Sequence, residues 1–198
     1  MPRLIGFGHR RRVGKNEAAR ILAFYLASEG YRVEVTSFAR SLKRICHDLF
    51  GWGGMQNELF YENDPLAKET ILPAIGKSPR QILIEVGNLL RQVHPDVWVK
   101  SALKFDTSPD YVILTDVRYP NEADELLRQG GTIVRIDRDC VPKSNDVADC
   151  ALEGYPDWDL VIHNDSSLYE FESKVIRLGR TLAQAPSVNY GDRYWRGA

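Results

Sequence analysis

One stretch constrains this chain more than any other: Gly8-His9-Arg10-Arg11-Arg12-Val13-Gly14-Lys15, set between an apolar run and a helical one. Arg3 to Phe7 is short and apolar and reads as a buried strand. From Asn16 onward, Ala19, Ile21, Leu22, Tyr25 and Leu26 fall on one helical face until Gly30 stops the pattern. Strand, glycine-bounded loop, lysine and helix in that order describe a phosphate-binding loop. The glycines let the backbone curl so that N–H groups point inward, the helix N-terminus adds partial positive charge, and the lysine adds a full one.

Gly8, Gly14 and Lys15 are therefore candidate ligands for the β- and γ-phosphates of ATP. Of the three arginines, Arg12 is the candidate to stabilise transferring charge. The match departs from the usual loop in two ways. Five residues rather than four separate the glycines, and Asn16 replaces the Ser or Thr that normally reaches Mg²⁺. Asn16 can substitute through its amide oxygen or a water, with Glu17 as a further hard oxygen donor. A simple glycine-containing turn with a solvated basic run is the competing reading. Three adjacent arginines also suit a nucleic-acid patch.

The remaining pattern alternates. Tyr31 to Thr36 reads as a strand and Ser37 to Phe50 as a helix. Residues 51–78 are rich in Gly, Asn, Pro and acidic side chains, with Phe60 and Tyr61 embedded, and read as an insertion near the acceptor side with at most short helices. Arg80 to Arg91 is a helix, and another starts near Asp96 or Val97. Tyr111 to Thr115 is the clearest buried strand, followed by a helix over Asn121 to Gln129, strands over Thr132 to Ile136 and Asp159 to His163, and a closing helix from Ser167 to Thr181. Five short β runs separated by helices indicate an α/β protein, a three-layer P-loop NTPase fold with a five-stranded parallel sheet flanked by helices. The expectation is a single domain over 1–184. Residues 185–198 form a tail, docked through Tyr190, Tyr194 or Trp195.

A phosphate loop needs a second carboxylate at a neighbouring strand end, and Asp116 fills that role for Mg²⁺, with Arg118 leaving the same strand tip. The bland alternative is a helix-capping Asp beside a surface Arg. Net charge is −1 over 198 residues and the pI is about 6.4, so nothing global attracts nucleic acid, and any anion chemistry must be local. No apolar run reaches the roughly 20 residues that span a bilayer, which points to a cytoplasmic protein and no membrane partner. Cys46, Cys140 and Cys150 have no Cys-x-x-Cys spacing and read as reduced thiols. The four histidines form no ligand pair, so no transition-metal site is expected.

These residues resemble the deoxynucleoside monophosphate kinases of tailed bacteriophages. The likeness lies in Thr115-Asp116-Val117-Arg118, Asn121-Glu122-Ala123-Asp124, Gly130-Gly131-Thr132-Ile133-Val134, Lys143-Ser144-Asn145-Asp146 and Asp159 to Leu168. On the acceptor side it lies in Ser37 to Lys43, Val86-Gly87-Asn88, Arg91 and Asp96-Val97-Trp98, so that it spans most of residues 3 to 180. The resemblance implies a nucleoside-monophosphate-kinase-like fold, ATP as donor, Mg²⁺ as cofactor and a 5′-deoxynucleotide as acceptor, in host cytoplasm if the gene is a phage's. The family usually carries Gly-Lys-Asp-Thr where this chain has Gly14-Lys15-Asn16-Glu17.

Roles follow from positioning and charge screening, which is most of what phosphoryl transfer asks of a protein. Arg40, Lys43 and Arg91 are assigned to the acceptor monophosphate, and Phe38 and Trp98 to the border of its base. Asn164 and Asp165 are placed near the donor adenine. Arg138 begins a polar segment, 138–153, read as a lid that closes over the transferring phosphoryl and excludes water. Two rivals stay open: a dephospho-coenzyme A kinase or other small-molecule kinase, and a non-catalytic nucleotide-binding module that has lost the Mg²⁺ hydroxyl. An isologous homodimer is the default assembly.

Overall fold

The structure, a computed structural model, describes residues 1–51, 64–104, 108–142 and 147–184. These fall into two compact units: residues 1–37 with the described residues after 105, and Phe38–Lys104. No helix among the described residues is long and apolar enough to cross a membrane.

The first unit is built on a five-stranded parallel sheet in the order β2-β3-β1-β4-β5. The strands are β1 (Arg3–Gly8), β2 (Val33–Thr36), β3 (Tyr111–Val117), β4 (Thr132–Asp137) and β5 (Leu160–His163). Three helices accompany them: α1 (Lys15–Ser28), α6 (Pro120–Arg128) and α8 (Leu168–Gln184), with the short α7 (Val147–Cys150) between β4 and β5. This is the expected five-stranded architecture, with helices on both faces.

Period-two alternation decides what each strand buries on either face. Ile5, Phe7, Ile113, Val134 and Ile136 face one way and form a single core with Ala18, Leu22 and Leu26 of α1 and Phe171, Val175 and Leu178 of α8. Gly6 faces the other way. A Cβ there would lie 2.5 Å from Leu126 Cδ1 of α6 and 2.8 Å from Val117 Cγ2, so the missing side chain is what lets α6 seat against the central strand. The sheet is thus covered on both faces, as near-continuous apolar strands require.

The boundaries differ from the sequence reading by a few residues. β2 starts at Val33 because Arg32 turns toward Asp110, its N–H donating to Asp110 Oδ2 at 2.8 Å. α6 starts at Pro120, a residue pre-set for a first helical turn. β3 runs on past Thr115 to Val117, which puts Asp116 inside the strand rather than after it.

The second unit is helical: α2 (Arg40–Phe50), α3 (Pro65–Glu69), α4 (Pro79–Val93) and α5 (Val97–Ala102). Its core is Leu42, Cys46, Leu72, Ile82 and Trp98. α4 starts on a capping box, in which Ser78 Oγ accepts from Gln81 N–H at 3.3 Å and Gln81 Oε1 accepts from Ser78 N–H at 2.9 Å. Of the insertion expected over 51–78, the described part holds α3 and a Leu72–Lys77 bridge; Phe60 and Tyr61 lie outside the described residues. So do Lys143-Ser144-Asn145-Asp146 and the whole tail with Tyr190, Tyr194 and Trp195.

Candidate phosphate-binding site

β1 ends at Gly8, in register with Val117 of β3, and His9 N–H donates to Val117 O at 3.3 Å. The loop from His9 to Gly14 therefore opens at the carboxyl edge of the sheet, beside the strand that carries Asp116. Its curl is written in positive φ angles: 92° at His9, 62° at Arg12 and 108° at Gly14. Gly14 has a second reason to be glycine, since a Cβ there would lie 2.6 Å from Asn164 Nδ2. That same amide donates to Val13 O at 2.9 Å, so the residue after β5 clamps the end of the loop. At Gly8 a Cβ would meet the Trp158 ring at 2.5 Å.

Lys15 sits inside this curl. It is 6% exposed, and its ammonium donates to His9 O at 3.0 Å and also to Arg10 O. Burial lowers its pKa from 10.5 to about 7; the Arg118 guanidinium pushes the same way, while Asp149 and Asp116 oppose. A lysine held this close to neutrality, ringed by loop carbonyls and two carboxylates, is poised to regain full charge when an anion arrives.

The three loop arginines have separate fates. Arg10 pairs with Glu153 at 2.6 Å, and Arg11 Nε lies 3.2 Å from Asp149 Oδ2. Arg12, exposed, has no ion pair among the described residues. Arg118 is half-buried, and its guanidinium also donates to Asp149 Oδ1. Its backbone N–H donates to Glu122 Oε2 at 2.8 Å, and Tyr119 N–H does so at 3.1 Å, so a buried Glu122 both starts α6 and fixes the turn carrying Arg118.

Beside the loop, His9 is buried with Nδ1 2.6 Å from Asp137 Oδ1, off the direction of a formed hydrogen bond, and Nε2 has no partner among the described residues. Burial and, next, Arg135 hold its pKa below the ordinary value, against the pull of Asp137.

The fold thus gathers Gly8, Gly14, Lys15, Asp116, Arg118 and Asn164 around one loop. Asn16 and Arg138 are exposed. Asp165 accepts from Asp139 N–H at 2.6 Å and ties the ends of β4 and β5 together. In the helical unit, Phe38 and Trp98 are 2% and 3% exposed. Trp98 Nε1 donates to Gly87 O at 3.2 Å. Arg40 is exposed, and Lys43 and Arg91 are half-buried. α2 and α4 meet at Gly87, where a Cβ would lie 3.1 Å from Leu42 Cδ2 and 3.6 Å from Arg91 Nη1, so these three cations stand on two packed helices.

Sequence reasoning missed Asp149, Glu122, Trp158 and the His9–Asp137 contact. Glu122 had a signal, an acidic residue two after the Pro that opens a helix. Asp149 had none, because its neighbours Val147, Ala148 and Cys150 form no motif.

No protein-family model matches the chain. A protein of Acanthamoeba polyphaga mimivirus named "Putative deoxynucleotide monophosphate kinase" is 27% identical over 181 residues, covering 82% of this chain and 91% of that protein. Among solved structures, a sugar kinase of Janibacter sp. HTCC2649 is 14% identical with a TM-score of 0.42, over 94% of this chain and 97% of that one. A protein of Thermus thermophilus is 16% identical with a TM-score of 0.43, over 94% and 99%. Likenesses at this structural level assign neither activity nor substrate.

Proposed function

We propose that the chain is a deoxynucleoside monophosphate kinase, transferring the γ-phosphoryl group of ATP to a dNMP to give the dNDP. The observation that carries this reading is Lys15: a buried ammonium in a curled loop at the carboxyl edge of a parallel sheet, with Asp116 and Arg118 close enough to act on its charge. The distant similarity to the mimivirus protein supports the choice of acceptor.

In this reading the N–H groups of the loop and Lys15 hold the β- and γ-phosphates, and Arg12 and Arg118 screen the charge that spreads over the transferring group. Arg138 closes on the same group. Arg40, Lys43 and Arg91 hold the acceptor monophosphate. Phe38 and Trp98 are proposed to shape the acceptor pocket from within the core, and Asn164 and Asp165 the donor side.

Among the described residues no cluster of three or more His, Cys, Asp or Glu side chains could cage a metal. A donor set of one carboxylate and one amide suits Mg²⁺ that arrives on ATP, because that ion keeps most of its waters and takes few protein ligands. Asp116 and Asn16 would hold it. When bound, the ion supplies charge neutralisation on the β- and γ-phosphates.

The test is ADP formation from Mg-ATP against dTMP, dGMP, dCMP, dAMP, the corresponding ribonucleotides and dephospho-coenzyme A, with Lys15→Ala as control. Turnover dependent on a deoxynucleotide and abolished in the control is the expected result. Turnover on dephospho-coenzyme A alone would replace the substrate class. ATP binding with no turnover on any acceptor would make the chain a binding module.

A further inference from the structure

Asp149 stands out among the charged groups that the kinase reading does not use. It is a carboxylate only 2% exposed, on a helix of four residues. Such a group is costly to bury without full compensation. Its compensation comes from the candidate phosphate loop and Arg118, and it is incomplete, since Oδ2 has no formed hydrogen bond among the described residues. Oδ1 accepts from the backbone N–H of Arg11 at 3.1 Å and from the Arg118 guanidinium, and Oδ2 lies 3.2 Å from Arg11 Nε. It also acts on the Lys15 ammonium. A loop amide, two guanidiniums and the loop lysine are the donors that an ATP phosphate oxygen would recruit.

We propose that Asp149 is an internal competitor of the ATP phosphates, a carboxylate that holds the loop donors until the triphosphate displaces it. The inference rests on the kinase reading only in taking the loop as an ATP phosphate site. An amide N–H has one hydrogen, so the Arg11 N–H bonded to Asp149 can serve a phosphate oxygen at full strength only once Asp149 lets go. A carboxylate held beside a triphosphate would add like-charge repulsion in a site shielded from water. Binding of ATP therefore releases Asp149 and with it the attachment of α7 to the loop. Arg10–Glu153 at 2.6 Å is a second attachment of the same stretch, and its exposed carboxylate is the weaker one. An affinity set by such competition equals the intrinsic affinity multiplied by the fraction of molecules in which the donors are free.

The experiment compares ATP binding by wild type and Asp149→Asn, by calorimetry without acceptor. Asn keeps the shape and removes the charge. The arginines it leaves behind are 30% and 37% exposed and can be solvated, so the variant is expected to fold. ATP should bind the variant about three- to tenfold more tightly. Equal or weaker binding would overturn the proposal and make Asp149 a positioning residue for Arg118. Hydrogen exchange on the wild type needs no variant: ATP should accelerate amide exchange at Ala151 and Glu153, whose N–H groups donate to Val147 O and Cys150 O, by at least about threefold, and unchanged or slowed exchange would also overturn it. The kinase reading fails separately, by absence of turnover on every acceptor in a chain that binds ATP.

Discussion

Lys15 makes a proton-counting prediction. Its native pKa of about 7 lies below the 10.5 of an unburied lysine, burial being the larger cause and Arg118 the second. At pH 8, one unit above the native value, about a tenth of the molecules carry the charged ammonium by simple titration. A bound triphosphate supplies the negative charge that burial removed, and the lysine returns to full protonation. ATP binding at pH 8 should therefore take up about 0.9 proton, and at pH 6, where the lysine is already about nine-tenths charged, about 0.1. At pH 8 ATP itself has no phosphate proton to exchange, so the uptake belongs to the protein.

The assay is isothermal calorimetry at pH 8 in several non-phosphate buffers, in which the slope of observed enthalpy against buffer ionisation enthalpy counts protons. Lys15→Arg, permanently charged, should bind with a slope near zero. A wild-type slope near zero would refute the argument, because it would mean that the buried ammonium is charged before ATP arrives. The linkage carries a sign for stability as well. A lysine depressed in the folded state holds fewer protons there than in the unfolded chain between pH 7 and 10.5. Stability of the ATP-free protein gains from this group as pH rises through that window, and loses that gain as pH falls to 7.

Further outcomes follow from individual residues. Gly14→Ala should destabilise the first unit by about 1–3 kcal/mol in urea unfolding, since it combines φ of +108° with a Cβ 2.6 Å from Asn164 Nδ2; a wild-type midpoint would contradict the loop geometry. Gly6→Ala should cost about 1–3 kcal/mol through overpacking against Leu126. Leu126→Val in the same chain should recover part of that loss, and strict additivity would mean the two sites do not touch. Asn16→Thr, which restores the usual hydroxyl, should lower the Mg²⁺ concentration for half-maximal turnover several-fold. An unchanged Mg²⁺ requirement would remove Asn16 from the metal's ligands.

Much of the fold was legible because its signals are local. Apolar runs ending at Gly8 and near Asp116, 3.6-residue stripes in α1, α4 and α8, and glycines at loop ends each report on a few neighbouring residues. Together they select a five-stranded parallel sheet and the loop that opens beside its central strand. The geometry of the candidate site was legible to the same extent, in Gly8, Gly14, Lys15 and Asp116, because a loop that curls its backbone N–H groups inward is announced by glycine spacing.

What tertiary structure alone decided is which distant groups meet that loop. Asn164, 151 residues from Val13, clamps its end. Asp149, 138 residues from Arg11, takes its amide. Trp158 closes over Gly8, and Glu122 holds the turn of Arg118. The depressed pKa of Lys15 belongs to the same class. A lysine in a sequence is a charge, and only burial among carbonyls, beside Arg118, makes it a titrating group near neutrality, because desolvation depends on what the whole fold packs around the ammonium.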